Sequence, residues 1–280
     1  MLDIGCGTGI LSIFAARAGA KHVYAIDNAE IAEYAREIVR KNNFSEVITV
    51  IKGKVEEVEL PVEKVDVIIS EWMGYFLLYE SMLDTIIFAR DKWLVPNGLI
   101  MPDRFHINIV GFQDINYFKA GKESFWSDVY GIDMSCLGRL VYVEPLVEGL
   151  DPQQIVTTAS RIFSIDLRKC RKEDSEFANL YSLEVTKDKA KIDGICAWFE
   201  AEFAGGLAKE VTFSTGPMST STHWKQTIFH IDGEYDLEKG DELYGTIAVR
   251  KNKKHPRELD VKFSFNCRDQ EGVNFSEPYV

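Results

Sequence analysis

The apolar residues of this chain follow one rhythm up to residue 102 and a different one beyond it, and no single sheet type suits both. Residues 1–4 are short and apolar and lead into a glycine turn at 5–9. Residues 10–18 read as a helix stopped by Gly19. Residues 22–26 read as a strand ending at Asp27, and 30–41 as an amphipathic helix. Residues 47–51 and 65–69 are β-branched runs of strand length, 81–93 is helical, and Pro96-Asn97-Gly98 marks a turn. This alternation implies a parallel sheet covered on both faces, an α/β domain over residues 1–102.

After Met101-Pro102, short alternating runs dominate, at 105–110, 191–203, 226–231, 243–249 and 259–265. They predict an antiparallel sandwich or barrel over 103–280. Residues 113–145 interrupt that pattern with Tyr117, Phe118, Phe125, Trp126 and Tyr130 and little strand character. The stretch reads as an inserted arm, or alternatively as a helical excursion packed on its own barrel. The basic run at 250–254 reads as a solvated loop.

Composition narrows the function classes. A formal charge of −12 disfavours nucleic-acid binding through a basic face and is compatible with cationic partners. No stretch approaches the length of a membrane span, and no secretory leader is expected. The five cysteines are scattered and never two or three residues apart, so neither a zinc site nor a disulfide framework is expected, and a reducing compartment fits.

Asp3-Ile4-Gly5-Cys6-Gly7-Thr8-Gly9 joins a strand to a helix, where backbone N–H groups face a ligand. The dinucleotide fingerprint wants its third glycine at the sixth position; here it falls at the fifth and Ile10 occupies the sixth. That departs from a nicotinamide site and suits the amino-acid moiety of S-adenosylmethionine, with Asp3 positioning the loop or a bound ammonium group. Asp27, at the carboxyl end of the next strand, is placed to accept two ribose hydroxyls; its alternative role is a helix N-cap.

Glu71-Trp72-Met73-Gly74-Tyr75-Phe76-Leu77-Leu78-Tyr79-Glu80 follows the fourth strand and is apolar apart from its end carboxylates. Gly74 is expected to turn the chain so that both acids face one pocket. Two acids among aromatics call for a compensating cation, and a guanidinium matches them bidentately. Methylating arginine with a sulfonium donor brings two cations together. At 4 Å they repel by roughly 4 kcal/mol at an effective dielectric near 20, which two glutamates cancel.

These features resemble the protein arginine N-methyltransferase family. The glycine loop, Asp27, Val55-Glu56, the Glu71–Glu80 loop and Thr222-His223-Trp224 stand in the family's order, and the similarity spans nearly the whole chain. The match looks best to the branch that makes monomethyl and asymmetric dimethyl arginine. The resemblance implies a Rossmann-like S-adenosylmethionine domain, a β-barrel, and a helical dimerisation arm within 113–145 that builds a head-to-tail homodimer. It implies that Asp3, Gly5, Cys6, Gly7, Gly9, Asp27, Val55 and Glu56 form the cofactor site, with Glu56 reading the adenine amino group. Glu71 and Glu80 would clamp the guanidinium, Met73 and Met82 would line the substrate channel, and His223 and Trp224 would join the pocket from the barrel. Glycine/arginine-rich tails, with histones among the candidates, are the expected substrates, and nuclear and cytoplasmic residence is the expectation. The family pattern also has a segment ahead of the first strand that folds over the cofactor. This sequence begins at that strand, so a site open on one side is expected, with a catalytically silent dimerising scaffold as the alternative reading.

Overall fold

The computed structural model describes residues 1–115, 121, 124–206, 209–231 and 235–269. The first region is built on strands β1 (Leu2–Ile4), β2 (Val23–Asp27), β3 (Ile48–Lys52), β4 (Val65–Ser70) and β5 (Leu94–Met101). They pair in parallel in the order β3-β2-β1-β4-β5. Helices α1 (Ile10–Arg17), α2 (Ile31–Lys41) and α3 (Leu83–Trp93) connect them. The chain winds outward from β1 through β2 to β3, then returns to β1's other side with β4. Ligands of such sheets bind at the carboxyl edge beside that reversal. The glycine loop, Asp27 and Ser70-Glu71 all follow strands at this edge.

Side-chain chemistry accounts for the layers. Central β1 is buried along its whole length, as a strand with neighbours and covered faces on both sides must be. Helix α2 buries Ala32, Ala35 and Val39 at helical spacing and turns Glu33, Arg36 and Arg40 outward. Helix α1 behaves differently: Ser12, Ile13 and Ala15 are buried, while Ile10, Leu11 and Phe14 are exposed. The turn expected at Pro96-Asn97-Gly98 lies inside β5. Val65 pairs with Leu94 but Val67 pairs with Leu99, so the turn residues are a bulge in a continuing strand. Asn97, at φ 62°, takes up the local reversal.

The second region is antiparallel. Its strands are β6 (Arg104–Phe112), β7 (Leu146–Glu148), β8 (Ser160–Asp166), β9 (Phe177–Glu184), β10 (Ala190–Lys191), β11 (Gly194–Phe203), β12 (Val211–Ser214), β13 (Gln226–His230), β14 (Asp236–Leu237), β15 (Glu242–Lys251) and β16 (Leu259–Arg268). One sheet runs β7-β13-β11-β6-β8 with β12 also on β11, another runs β16-β15-β9, and β10 pairs β14. Leu243 and Ile247 of β15 share a single apolar core with Ile195 and Phe199 of β11 and with Leu2, Ile68 and Trp72 of the first region. Trp72 meets Phe105 edge-on at 4.7 Å. The Arg90 guanidinium of α3 donates to the carbonyls of Leu167 and Cys170, at 2.8 and 2.7 Å. The two regions are therefore docked through core and hydrogen bonds together.

Of the predicted arm at 113–145, residues 116–120 and 122–123 lie outside the described residues. The described part contains a 3₁₀ helix, Ser135–Tyr142, and exposes Phe125, Tyr130 and Ile132. No helix among the described residues is long and apolar enough to cross a membrane.

Candidate active site

The glycine loop is held from below and behind. Gly5 and Cys6 N–H both donate to the Ile26 carbonyl, at 2.9 and 3.0 Å. Gly7 N–H donates to Asp27 Oδ2 at 2.9 Å, while Ala29 N–H donates to Asp27 Oδ1 at 2.8 Å. Asp27 is thus not the cap of α2, which begins four residues later. It ties the loop to β2 and keeps further lone pairs on both oxygens for an incoming hydroxyl. Gly5, Gly7 and Gly9 all have positive φ, at 70°, 53° and 83°. A Cβ on Gly7 would meet nothing within 4 Å, so the loop's outer face is open to a ligand.

Asp3 and Cys6 contribute differently from a direct side-chain contact. Asp3 is fully buried and accepts the Ser12 hydroxyl at 2.6 Å, locking the loop onto α1; its Oδ1 has no hydrogen-bond partner among the described residues. Burial, opposed by the Ser12 bonds, raises its pKa to about 6. The Cys6 side chain packs in the core with Ile13, Val23 and Ala35. Burial and the nearby Asp3 and Asp27 push its thiol up to about 12, so it is not a nucleophile. Its contribution to the loop is through its backbone. After β3, Val55 is buried and Glu56 is exposed, its carboxylate accepting the Thr85 hydroxyl of α3 at 2.6 Å.

The segment after β4 is a compact hairpin. Gly74 bridges Leu77, and Tyr75 bridges Tyr79. Met82 N–H donates to the Trp72 carbonyl at 2.9 Å, closing the base. Glu71 and Glu80 therefore lie on facing limbs although separated in sequence. The reversal is made by Phe76 and Leu77, at φ 50° and 64°, not by Gly74. Glycine is needed at 74 for another reason: a Cβ there would lie 1.6 Å from the Tyr79 carbonyl oxygen. Glu80 is also left-handed, at φ 54°. Three non-glycine residues in this region, each costing about 1 kcal/mol or more, make the hairpin a strained element held by its surroundings. Its own side chains Trp72, Phe76, Leu77 and Leu78 are buried in the core they share with residues such as Phe105 and Ile107, which supplies that hold.

The carboxylates are at the mouth of the site and not buried within it: Glu71 and Glu80 are both exposed residues. Partial desolvation still raises the Glu71 pKa above the ordinary carboxylate range. Met73 is buried, and Met82 reaches the cofactor loop, since a Cβ on Gly5 would stand 2.7 Å from Met82 Cε. Acceptor hairpin and glycine loop are thus in direct contact.

The second region packs against the hairpin. Trp224 Nε1 donates to the Met73 carbonyl at 3.2 Å, and its ring stacks on Phe213 and meets Phe199 edge-on. The His223 ring lies 3.9 Å from that of Trp224, centroid to centroid, and is exposed. Sequence reasoning missed the loop between β15 and β16. Lys251 Nζ bonds both carboxylate oxygens of Asp84 at 2.8 Å, and Arg257 approaches Glu80. Arg250 and Lys251, from the basic run expected to be a loop, are thus strand residues of β15, where Lys251 clamps α3, and only 252–254 lie in the loop. Nothing local in the sequence marks either contact, because the partners lie more than 160 residues apart.

The chain is similar to known proteins along nearly its whole length. Residues 103–270 match the family model of the arginine methyltransferase oligomerization subdomain. Residues 1–98 match that of ribosomal protein L11 methyltransferase (PrmA). Protein arginine N-methyltransferase 1 of Chlamydomonas reinhardtii is 47% identical over 272 residues, 97% of this chain and 78% of that protein. The Schizosaccharomyces pombe protein arginine N-methyltransferase 1 is 46% identical, covering 97% of this chain and 79% of its own length. Among solved structures, the Trypanosoma brucei PRMT1 enzyme-prozyme heterotetrameric complex with AdoHcy superposes with a TM-score of 0.92 at 38% identity, covering 99% of this chain and 87% of that one. The open conformation of Arabidopsis thaliana protein arginine methyltransferase 10 gives 0.87 at 31% identity, over 99% and 88%.

Proposed function

The chain belongs to the protein arginine N-methyltransferase family and is an S-adenosylmethionine-dependent enzyme acting on protein arginine, and from that premise we propose how its own residues divide the work. The observation that carries the reading is the hairpin with Glu71 and Glu80 on facing limbs, in contact with the glycine loop through Met82 and Gly5. The open outer face at Gly7 and the free lone pairs of Asp27 fit the donor's amino-acid and ribose parts; Glu56 is assigned the adenine.

When bound, S-adenosylmethionine supplies an electrophilic methyl on a sulfonium sulfur. Glu71 and Glu80 hold the substrate guanidinium, cancel its repulsion from that sulfonium, and draw its positive charge away from the attacking nitrogen. Glu71, whose pKa is raised by desolvation, takes the proton released from the methylated nitrogen. Met73 and Met82 shape the channel so that a second methyl enters on the same nitrogen. Trp224 pins the hairpin from the barrel, and His223 borders the pocket beside it.

Oligomerisation belongs to the family's second region. We assign a homodimer in which the apolar face of α1, with Ile10 51% and Phe14 53% exposed, receives the other copy's arm carrying Phe125 and Tyr130. Incubation with methyl-labelled S-adenosylmethionine and a glycine/arginine-rich peptide, followed by hydrolysis and separation of methylarginines, tests the activity. Asymmetric dimethylarginine is expected. Symmetric product would overturn the channel assignment, and no labelled arginine would overturn the site assignment.

A further inference from the structure

Glu80 already faces a guanidinium, and it belongs to this chain. Arg257 Nη2 lies 3.9 Å from Glu80 Oε1, and the Arg257 carbonyl accepts the Glu80 N–H at 2.8 Å. The loop that carries Arg257 is fixed by its own bonds. Asn252 Oδ1 accepts the N–H groups of Lys254 and His255, and Asn252 N–H donates to the Glu258 carbonyl. Lys251, the last residue of β15 before the loop, is fastened to Asp84. Glu71 has no comparable ion pair among the described residues.

We propose that Arg257 is a resident counter-ion that competes with the substrate guanidinium for Glu80 and reclaims that carboxylate as methylated product leaves. The inference rests on the reading of Glu80 as an acceptor carboxylate. Methylation does not discharge a guanidinium, so the product is still a cation between two carboxylates. A second guanidinium competing for one of them weakens that hold. The pair has the character of an exchangeable contact. Its side chains are 74% and 51% exposed, and its single long approach is not a bidentate clasp. The backbone bond from Glu80 to Arg257 is independent of the side chain. The guanidinium can therefore swing away without releasing the hairpin, and Arg257 acts as a positioning residue and not a catalytic one.

That independence makes the test clean, because Arg257→Gln removes the charge and leaves the backbone bond in place. The measurement is binding of a fluorescent single-arginine peptide, and of its asymmetrically dimethylated form, to the full chain with S-adenosylhomocysteine present. Both peptides are expected to bind Arg257→Gln about threefold or more tightly than wild type, with the gain shrinking as salt is added. Arg257→Lys, which keeps the charge, is expected to stay near wild type. Unchanged or weaker binding by Arg257→Gln overturns the proposal, whether or not its melting temperature falls. Normal methylation by wild type combined with unaltered Arg257→Gln binding sinks this inference alone. A wild-type chain that methylates no arginine peptide sinks the reading of the site.

Discussion

Glu71 and Asp3 are both carboxylates whose protons are held more tightly than usual, and the consequences differ because one is at the site mouth and the other beneath it. Glu71 is desolvated with no ion pair among the described residues, so on the reading proposed above its charge serves the substrate and not the fold. Glu71→Gln should therefore lower methyl transfer by roughly 100-fold or more while leaving the melting temperature unchanged or slightly higher. A matched pair of labelled-methyl assays and thermal melts checks this; a fall in stability parallel to the fall in activity would contradict it. In the wild type, kcat/KM is expected to drop as pH falls through the raised Glu71 pKa. Asp3 acts on stability. Its pKa of about 6 exceeds the ordinary 3.8, so the native state binds the proton more strongly than the unfolded chain. Its contribution is present below pH 3.8 and is lost as pH rises through about 6, a difference of ~3 kcal/mol. Asp3→Asn should flatten the decline in urea-unfolding free energy between pH 4 and 7, and an unchanged slope would exclude this account.

The acceptor hairpin is the element on which the site depends. Its reversal at Phe76 and Leu77 uses residues that disfavour positive φ, and its close limb contact at Gly74 tolerates no side chain. The expectation that Gly74 turns the chain located the right residue for the wrong reason. The apolar run gave no hint that Phe76 and Leu77 would be left-handed. They are forced there because Phe76, Leu77 and Leu78 are buried against the core and Trp224 pins Met73. Gly74→Ala should cost roughly 2–3 kcal/mol and remove activity, since the Tyr79 backbone must shift to admit the methyl. A variant melting like wild type with normal turnover would show that the hairpin is not needed in this form. Contact between Met82 and Gly5 was equally out of reach, because it joins two loops that only the sheet order places side by side.

For the whole molecule, the open question is where the apolar face of α1 goes. Ile10, Leu11 and Phe14 share one side of a helix whose other side is in the core. A contiguous exposed patch of this kind on a chain of the oligomerising family is assigned to a second copy. In the homodimer proposed above, Phe14→Glu is expected to give a monomer in sedimentation or light scattering with little change in the melting of the isolated chain, because Phe14 is already 53% exposed. Retention of the dimer would place the interface elsewhere.

Much of this was determined by sequence alone. Local periodicity specified the parallel and antiparallel halves and the change between them near residue 102, because side-chain spacing follows from backbone geometry. Asp27 and the two glutamates stood out as candidates because each stands at the end of an apolar strand or run, where an unpaired polar group needs a purpose. Tertiary structure alone decided the rest: that Asp27 ties the glycine loop, that Asp3 lies beneath it, that Pro96-Asn97-Gly98 bulges a strand, and that Arg257 meets Glu80. Each depends on how strands, loops and helices pack against one another. Contacts of that kind are set by packing, which no local pattern encodes.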